Sequence, residues 1–212
     1  MGIERHFGED VRTRIAEAVR RAESLSRGQI VPVVVEKSDP YPEARYRGAL
    51  LLAALATAIV LAFHLPLTVA ELPLVQLGAG LAGALLAGWD PVERRLTGAR
   101  AMDEAVRARA TRAFHEHGLH RTAEGTGILV FASLFEHEAV VLGDRGIHEK
   151  MGADWDKAVA ALVAGMRADD PGSGFVDAVA LCGARLAEHF PRDPSLHPSR
   201  NELEDAIRTS RT

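Results

Sequence analysis

The chemically richest loop of the sequence follows an apolar run in the stretch VVLGDRGIH, residues 140–148. One interpretation is a binding loop for a partner or a metal, in which Asp144 and Glu124 share a Ca²⁺ or Mg²⁺ ion, since hard cations prefer carboxylate oxygens. The other is a tight turn, in which Asp144 binds backbone amides and glycine supplies a positive φ. Both interpretations stay open for the four loop residues, Gly143, Asp144, Arg145 and Gly146.

No nucleophile–base pair adjoins this loop, and the sequence lacks Gly-x-Ser-x-Gly, P-loop and Cys-x-x-Cys motifs. The stretch HEHGLH contains His115, His117 and His120, but it does not match the His-Glu-x-x-His zinc motif. His115 and His117 diverge by about 200° on a helix. We interpret these histidines as surface residues whose charged form the helix C-terminus favours. We therefore predict no catalytic residue.

Composition narrows the classes of partner. The 212 residues carry a net charge of −4 and give a pI near 6.1, which provides no basic excess for nucleic acid. The single cysteine, Cys182, lies in an apolar helical pattern. We predict that it is a small buried core residue, as free cysteines usually are.

Two long apolar segments dominate the first half of the chain. Residues 48–70 provide 23 consecutive positions without Asp, Glu, Lys or Arg, and residues 72–89 provide 18 more, with Glu71 between them. A helix needs about 20 apolar residues to cross a bilayer. We predict a transmembrane helical hairpin over residues 46–89, embedded in the lipid bilayer.

Basic residues flank this hairpin on one side only. The connecting turn contains no Lys or Arg, whereas arginines lie just outside the two apolar segments, at Arg45, Arg47, Arg94, Arg95 and Arg100. The positive-inside rule then places both termini and the remaining domain in the cytoplasm.

Small residues recur every four positions in the second hairpin helix, in the rows Ala79–Gly83–Ala87 and Gly80–Ala84–Gly88. Such rows let helices approach closely in lipid. They face either the first hairpin helix or a second copy of the chain. The sequence thus allows a homo-oligomer through Gly80, Ala84 and Gly88.

The rest of the chain predicts one α/β domain with a small mixed sheet and helices on both faces. It is discontinuous, formed by residues 1–45 and 90–212, with a tail that we expect to be mobile from about residue 192. A short β-branched run, residues 30–35, predicts a strand buried on both faces, and residues 128–134 predict a second buried strand. Pro32 inside the first run indicates a sheet edge or a bulge.

Chain direction locates the opening loop. The first strand runs toward the hairpin that follows it, the second is expected to run the same way, and a third, residues 139–142, returns. The loop at residues 143–146 should therefore lie at the membrane-distal edge of the sheet, beside residues 122–127.

Several stretches together resemble the TPM-domain family, in its bacterial members with an inserted transmembrane hairpin. The resemblance runs from Val11 to Leu203 and is carried by FHEHGLHRTAEGTGILVFASLFEHEAVVLGDRGI, the helix at Trp155, ALCGARLAEHFP and RNEL. It implies a Rossmann-like three-layer α/β/α sandwich tethered to a membrane. Relatives are associated with divalent-cation binding, acid phosphatase activity, photosystem maintenance and receptor assistance, and many carry a glycine-rich turn where this chain has GDRG.

Two functions follow as expectations. The first is a membrane-anchored, non-catalytic interaction or scaffolding module in the bacterial inner membrane, which binds a protein partner with the help of a cation. The second is a phosphatase-like, metal-dependent hydrolase at the membrane-distal edge of the sheet.

Overall fold

A computed structural model describes residues 2–122, 125–147, 154–192 and 206–210. The chain divides into two compact units, which we call the α/β unit (Met1–Asp39 with Asp103–Thr212) and the hairpin unit (Pro40–Met102). The helices are α1 (Ile3–His6), α2 (Glu9–Leu25), α3 (Pro42–Ala62), α4 (Glu71–Leu86), α5 (Asp90–Thr97), α6 (Ala99–Glu116), α7 (Asp154–Arg167) and α8 (Pro171–His189). The strands are β1 (Gln29–Val35), β2 (Gly127–Ser133), β3 (Glu138–Gly143) and β4 (Arg208–Ser210).

A four-stranded mixed sheet organises the α/β unit, in the order β3-β2-β1-β4. β1 pairs in parallel with β2, from Gln29 opposite Gly127 to Val35 opposite Ser133, and β3 returns antiparallel to β2. Every residue of β1 and β2 is buried. The prediction of an α/β fold with a small mixed sheet and two fully buried strands is therefore confirmed.

Helices cover both faces of this sheet. Alternate residues of β1 and β2 pack with α2, α7 and α8 in one apolar core, which contains Ile15, Val19, Leu162, Phe175 and Leu186. The other residues pack against α6 in a second core, which contains Val106, Ala110 and Ala113. Successive side chains of a strand point to opposite faces of the sheet. Because helices cover both faces here, the central strands need apolar residues at nearly every position.

Pro32 lies inside a central strand, yet its missing N–H breaks no ladder bond. Backbone N–H groups alternate in direction along a strand, and Glu36 N donates to Ser210 O on the β4 side at 3.0 Å. Pro32 lies four residues before Glu36, so its backbone nitrogen points to the same β4 side. The pairing with β4 begins only at Val33, so no bond from position 32 is needed there. On that same open side, Ile30 N donates to the Glu23 side chain at 2.9 Å.

The tail differs from expectation. We predicted a mobile segment from about residue 192, but residues 208–210 form β4 and pair in parallel with β1 from Val33 to Val35. Three residues, Arg-Thr-Ser, carry no apolar pattern, so the strand is formed because the exposed edge of β1 offers unpaired backbone groups. The stretch NELEDAI, residues 201–207, also predicts a short helix, but residues 201–205 lie outside the described residues.

A buried carboxylate closes the turn between β2 and β3. Glu136 is 3% exposed, its Oε1 accepts a bond from Ser38 N at 2.9 Å, and its Oε2 accepts a bond from the Ser133 hydroxyl. Ser38 lies three residues after the end of β1, so one side chain joins the turn to the segment that leaves the sheet for the hairpin unit.

The hairpin unit contains two apolar helices packed side by side, α3 and α4, followed by α5. Among the described residues, α3 is the one helix long and apolar enough by itself to cross a membrane; α4 and α5 meet the same test only as a pair bent by 100°. Arg47 Nη1 donates to Leu96 O at 2.6 Å and to Thr97 O at 3.2 Å, which fixes the end of α5 against the start of α3.

Candidate functional site

The loop Gly143–Gly146 lies at the edge of the sheet where β1 and β2 begin, opposite the edge from which the chain leaves for the hairpin unit. Asp144 N donates to Gly127 O at 2.9 Å and so extends the β2–β3 pairing. The Asp144 carboxylate accepts a bond from Arg145 N at 2.7 Å, and residues 145–147 adopt a helical turn. Asp144 therefore occupies the N-cap position of a helical segment, with its carboxylate bound to the first amide of that segment.

At Gly143, the first residue of the loop, the structure leaves no room for a side chain. Gly143 does not adopt a positive φ, which corrects the turn interpretation on this point. A Cβ at Gly143 would lie 2.9 Å from the Trp155 ring and 3.1 Å from Ile147. A larger residue would thus displace the helix that follows the loop.

The predicted cation pair is described only in part. A Cβ added at Gly125 would lie 3.5 Å from Asp144 Oδ2, so the turn that follows residue 124 does reach Asp144. Glu124 itself lies outside the described residues. Within the described ranges, no three His, Cys, Asp or Glu side chains are grouped so that they could hold a metal ion.

The histidines at the end of α6 are used in local contacts. His115 and His120 stack edge to face with ring centroids 5.0 Å apart, and Arg121 Nε donates to His120 Nε2 at 3.2 Å. Burial lowers the pKa of His117, and the positive charge of Arg208 in β4 lowers it further. His117 is therefore held toward its neutral form, against our expectation that the helix C-terminus would favour the charged form.

We predict that Arg208→Gln raises the pKa of His117 while leaving it below the ordinary value of 6.5, because burial is the larger cause. Because the native state favours neutral His117, the contribution of this residue to the free energy of unfolding is largest above pH 6.5. Stability should fall as the pH drops from 6.5 toward the native pKa, since the unfolded chain binds the proton first. An NMR titration of the His117 ring, assigned with His117→Gln, measures the shift. An unchanged pKa in Arg208→Gln would contradict the docking of β4 beside α6.

A cavity of about 420 Å³ lies at the opposite edge of the sheet, at the carboxyl ends of β1 and β4. Ligands of open α/β sheets bind at this edge. Its lining carries both signs of charge, from Arg12, Glu4 and Glu36, beside Ser210. Sequence reasoning missed this cavity because it depends on β4, which no pattern predicts.

The largest apolar surface belongs to the hairpin unit. Only 11% of the most apolar stretch of α3 is buried. Large side chains point outward along both helices; they include Leu50, Leu55, Leu61 and Phe63 in and after α3, and Leu74, Leu77, Leu81 and Leu85 in α4, with exposed fractions from 53% to 73%. Monomeric soluble proteins rarely expose an apolar surface of this extent.

Small residues bring α3 and α4 into backbone contact. A Cβ added at Gly48 would lie 2.6 Å from both Ala87 Cβ and Gly83 O, and one added at Gly83 would collide with Gly48 O. Gly80 also faces α3. Farther along, Gln76 Nε2 donates to Thr57 Oγ1 at 2.9 Å between the helices. Self-association through Gly80, Ala84 and Gly88 stays a prediction.

The NMR structure of the BA42 protein from the psychrophilic bacterium Bizionia argentinensis is similar to this chain. The TM-score is 0.60 at 18% sequence identity, over 99% of this chain and 99% of that one. No protein-family model matches the sequence, and no curated protein matches it. At this identity the likeness concerns the fold alone, so the chain and BA42 share a mixed α/β architecture.

Proposed function

We propose that the chain is an integral membrane protein whose hairpin unit anchors the α/β unit to the cytoplasmic face of a bacterial inner membrane. In this proposal the α/β unit is a Rossmann-like, TPM-type sandwich that serves as a non-catalytic interaction module for a protein partner. The role of the module rests on the sequence resemblance.

The exposed apolar surface of α3 and α4 carries the anchoring proposal. At 1.5 Å per residue, the part of α3 without charged residues, from Gly48 to Ala62, rises about 22 Å, and the uncharged segment continues beyond the helix to residue 70, against a hydrocarbon core of about 30 Å. A core helix of a soluble protein would be mostly covered, whereas α3 is not. Polar contacts inside the hairpin, such as Gln76 with Thr57, face the partner helix and avoid the lipid.

Cysteine labelling in intact cells tests both anchoring and orientation. Val69, at the tip of the hairpin, is 93% exposed, and Glu17 is an exposed residue of α2. We expect a membrane-impermeant maleimide to label Val69→Cys in intact spheroplasts and to label Glu17→Cys only after lysis. Native Cys182 gives a low background, because burial raises the pKa of its thiol to about 12.

Labelling of Glu17→Cys but not Val69→Cys in intact spheroplasts would reverse the orientation. Recovery of the protein in the carbonate-soluble fraction would overturn the anchoring itself.

The interaction module is tested separately with a photo-crosslinking residue at Arg145, in the exposed loop, and at Arg20 in α2 as the matched site. A discrete adduct at Arg145 alone would support a partner at the loop, and equal patterns at both sites would contradict it.

The help of a cation is tested by calorimetry with Ca²⁺ and Mg²⁺ on the protein in detergent. Asp144→Asn keeps a helix-capping side chain and removes the charge, whereas Asp144→Ala removes both and should cost about 1 kcal/mol of stability. We expect saturable binding in the wild type that both variants lose. Binding that survives Asp144→Asn, or no heat in the wild type, would leave Asp144 as a helix cap only.

A further inference from the structure

Basic and aromatic side chains gather at the base of the hairpin unit, where α3 begins and α4 ends. We call the arginines there the basic collar: Arg45, Arg47, Arg94, Arg95 and Arg100. Tyr46 and Trp89 lie among them, 70% and 67% exposed. Aromatic rings with this exposure next to an apolar span are typical of the headgroup level of a membrane.

The bend between α4 and α5 determines where the arginines of α5 lie in the basic collar. Because α5 turns by 100° from α4, a hairpin that crosses the membrane places α5 nearly parallel to the membrane surface. The two bonds from Arg47 to the last carbonyls of α5 hold the helix in this direction. Arg95, an exposed residue of α5, is thus carried along the surface rather than away from it.

Charge differs sharply between the two ends of the hairpin unit. The base carries five arginines against three acidic residues, Glu43, Asp90 and Glu93, and Glu93 is buried. At the tip, residues 63–71 carry Glu71 and no Lys or Arg. The Arg45 side chain also lies near the residues that follow α4, 3.7 Å from the position of a Cβ at Gly88. The positively charged end of the hairpin unit is therefore the base, which also contains α5 and the exposed rings of Tyr46 and Trp89.

From this placement we infer that the basic collar binds the anionic headgroups of phospholipids in the leaflet around the base of the hairpin. Guanidinium groups bind phosphate oxygens with two parallel hydrogen bonds, and clustered basic residues next to a membrane helix attract anionic lipid. The inference rests on the proposed membrane anchoring and adds the lipid class that the anchor selects.

Trp89 is a built-in reporter, because the sequence has only one other tryptophan, Trp155. The full chain with Trp155→Phe is reconstituted into two kinds of vesicle. One contains a minor fraction of brominated phosphatidylglycerol in phosphatidylcholine, and the other contains the same fraction of brominated phosphatidylcholine in phosphatidylcholine. We expect Trp89 quenching to be about fivefold stronger with the brominated anionic lipid, and the preference to shrink in high salt.

Two arginine pairs provide matched variants. Arg94→Gln with Arg95→Gln should clearly weaken the preference, whereas Arg20→Gln with Arg21→Gln, an adjacent pair on α2, should preserve it. Equal quenching by both lipids in the wild type, or an unchanged preference in the Arg94/Arg95 variant, would overturn the headgroup inference and leave the anchor in place. No quenching by either lipid would overturn the membrane anchoring as well.

Discussion

Replacing Gly83 with leucine should separate α3 from α4 and cost about 3 kcal/mol or more of hairpin stability. Any Cβ at this position collides with Gly48 O and lies 2.9 Å from Leu52 Cβ. Since the obstacle is backbone, a change of rotamer cannot relieve it, and the helices must move apart. The Gln76–Thr57 bond between the helices would be lost with them.

Gly78 gives the matched control for this prediction. It lies on the same helix, yet a Cβ there meets nothing within 4 Å. Gly78→Leu should therefore leave the packing intact and gain a little helix propensity, up to about 1 kcal/mol. The two variants change the same residue type to the same side chain in the same apolar helix, so they differ only in what the new atoms touch.

An engineered disulfide measures the outcome. A Cβ at Gly80 would lie 3.9 Å from Ala53 Cβ, which suits a disulfide. The pair Ala53→Cys with Gly80→Cys should crosslink rapidly on mild oxidation, also with Gly78→Leu added, and slowly or not at all with Gly83→Leu. Fast crosslinking in the Gly83→Leu background would show that the hairpin accommodates the side chain.

Removing the buried carboxylate of Glu136 should have the second-largest effect. In Glu136→Ala, the Ser133 hydroxyl loses its acceptor in a buried place, and Ser38 N loses its acceptor in a partly buried one. Each unsatisfied buried donor costs about 1–3 kcal/mol, so we expect a loss of about 2–5 kcal/mol. Chemical denaturation of the α/β unit in the full chain, followed by Trp155 fluorescence in Trp89→Phe protein, measures it.

Glu136→Gln separates the charge of the carboxylate from its hydrogen bonds and its bulk. Its amide oxygen can still accept from Ser38 N, and its amide nitrogen can donate to the Ser133 hydroxyl, so the loss should be smaller than in the alanine variant. Glu17→Ala, at an exposed position of α2, should change stability by no more than about 0.5 kcal/mol. Equal losses in Glu136→Gln and Glu136→Ala would show that the carboxylate charge matters more than the two bonds.

The parts of this fold that were predictable are those with a strong local pattern. The run IVPVVV and the run ILVFASL are apolar except for Ser133, which is typical of a strand between two helical layers, and both lie in buried strands. The start of α8 at Pro171 also has a local signal: Pro171 is an early helical residue, and Asp170 accepts a capping bond from Ser173 N.

Other features depend on residues that are distant in sequence. Gly48 is one glycine in an apolar segment, and its need for space comes from Ala87 and Gly83 across the hairpin. The need for glycine at position 143 comes in the same way from the ring of Trp155. The strand at residues 208–210 exists because β1 has an open edge. No window along the chain contains this information, and the same holds for the carboxyl-edge cavity that β4 helps to form.

The position of β1 has a consequence for biosynthesis. Both of its partners, β2 and β4, are encoded after the hairpin unit. When the ribosome has made α3 and α4, the apolar strand β1 has no sheet to join, and no α/β core can form. If the hairpin unit anchors the chain as proposed, we expect it to enter the membrane before the sheet assembles, and β1 to need protection until β2 and β4 have left the ribosome. Translation arrested before residue 127 should therefore leave the N-terminal segment sensitive to protease, and only a chain that includes β2 and β4 should resist.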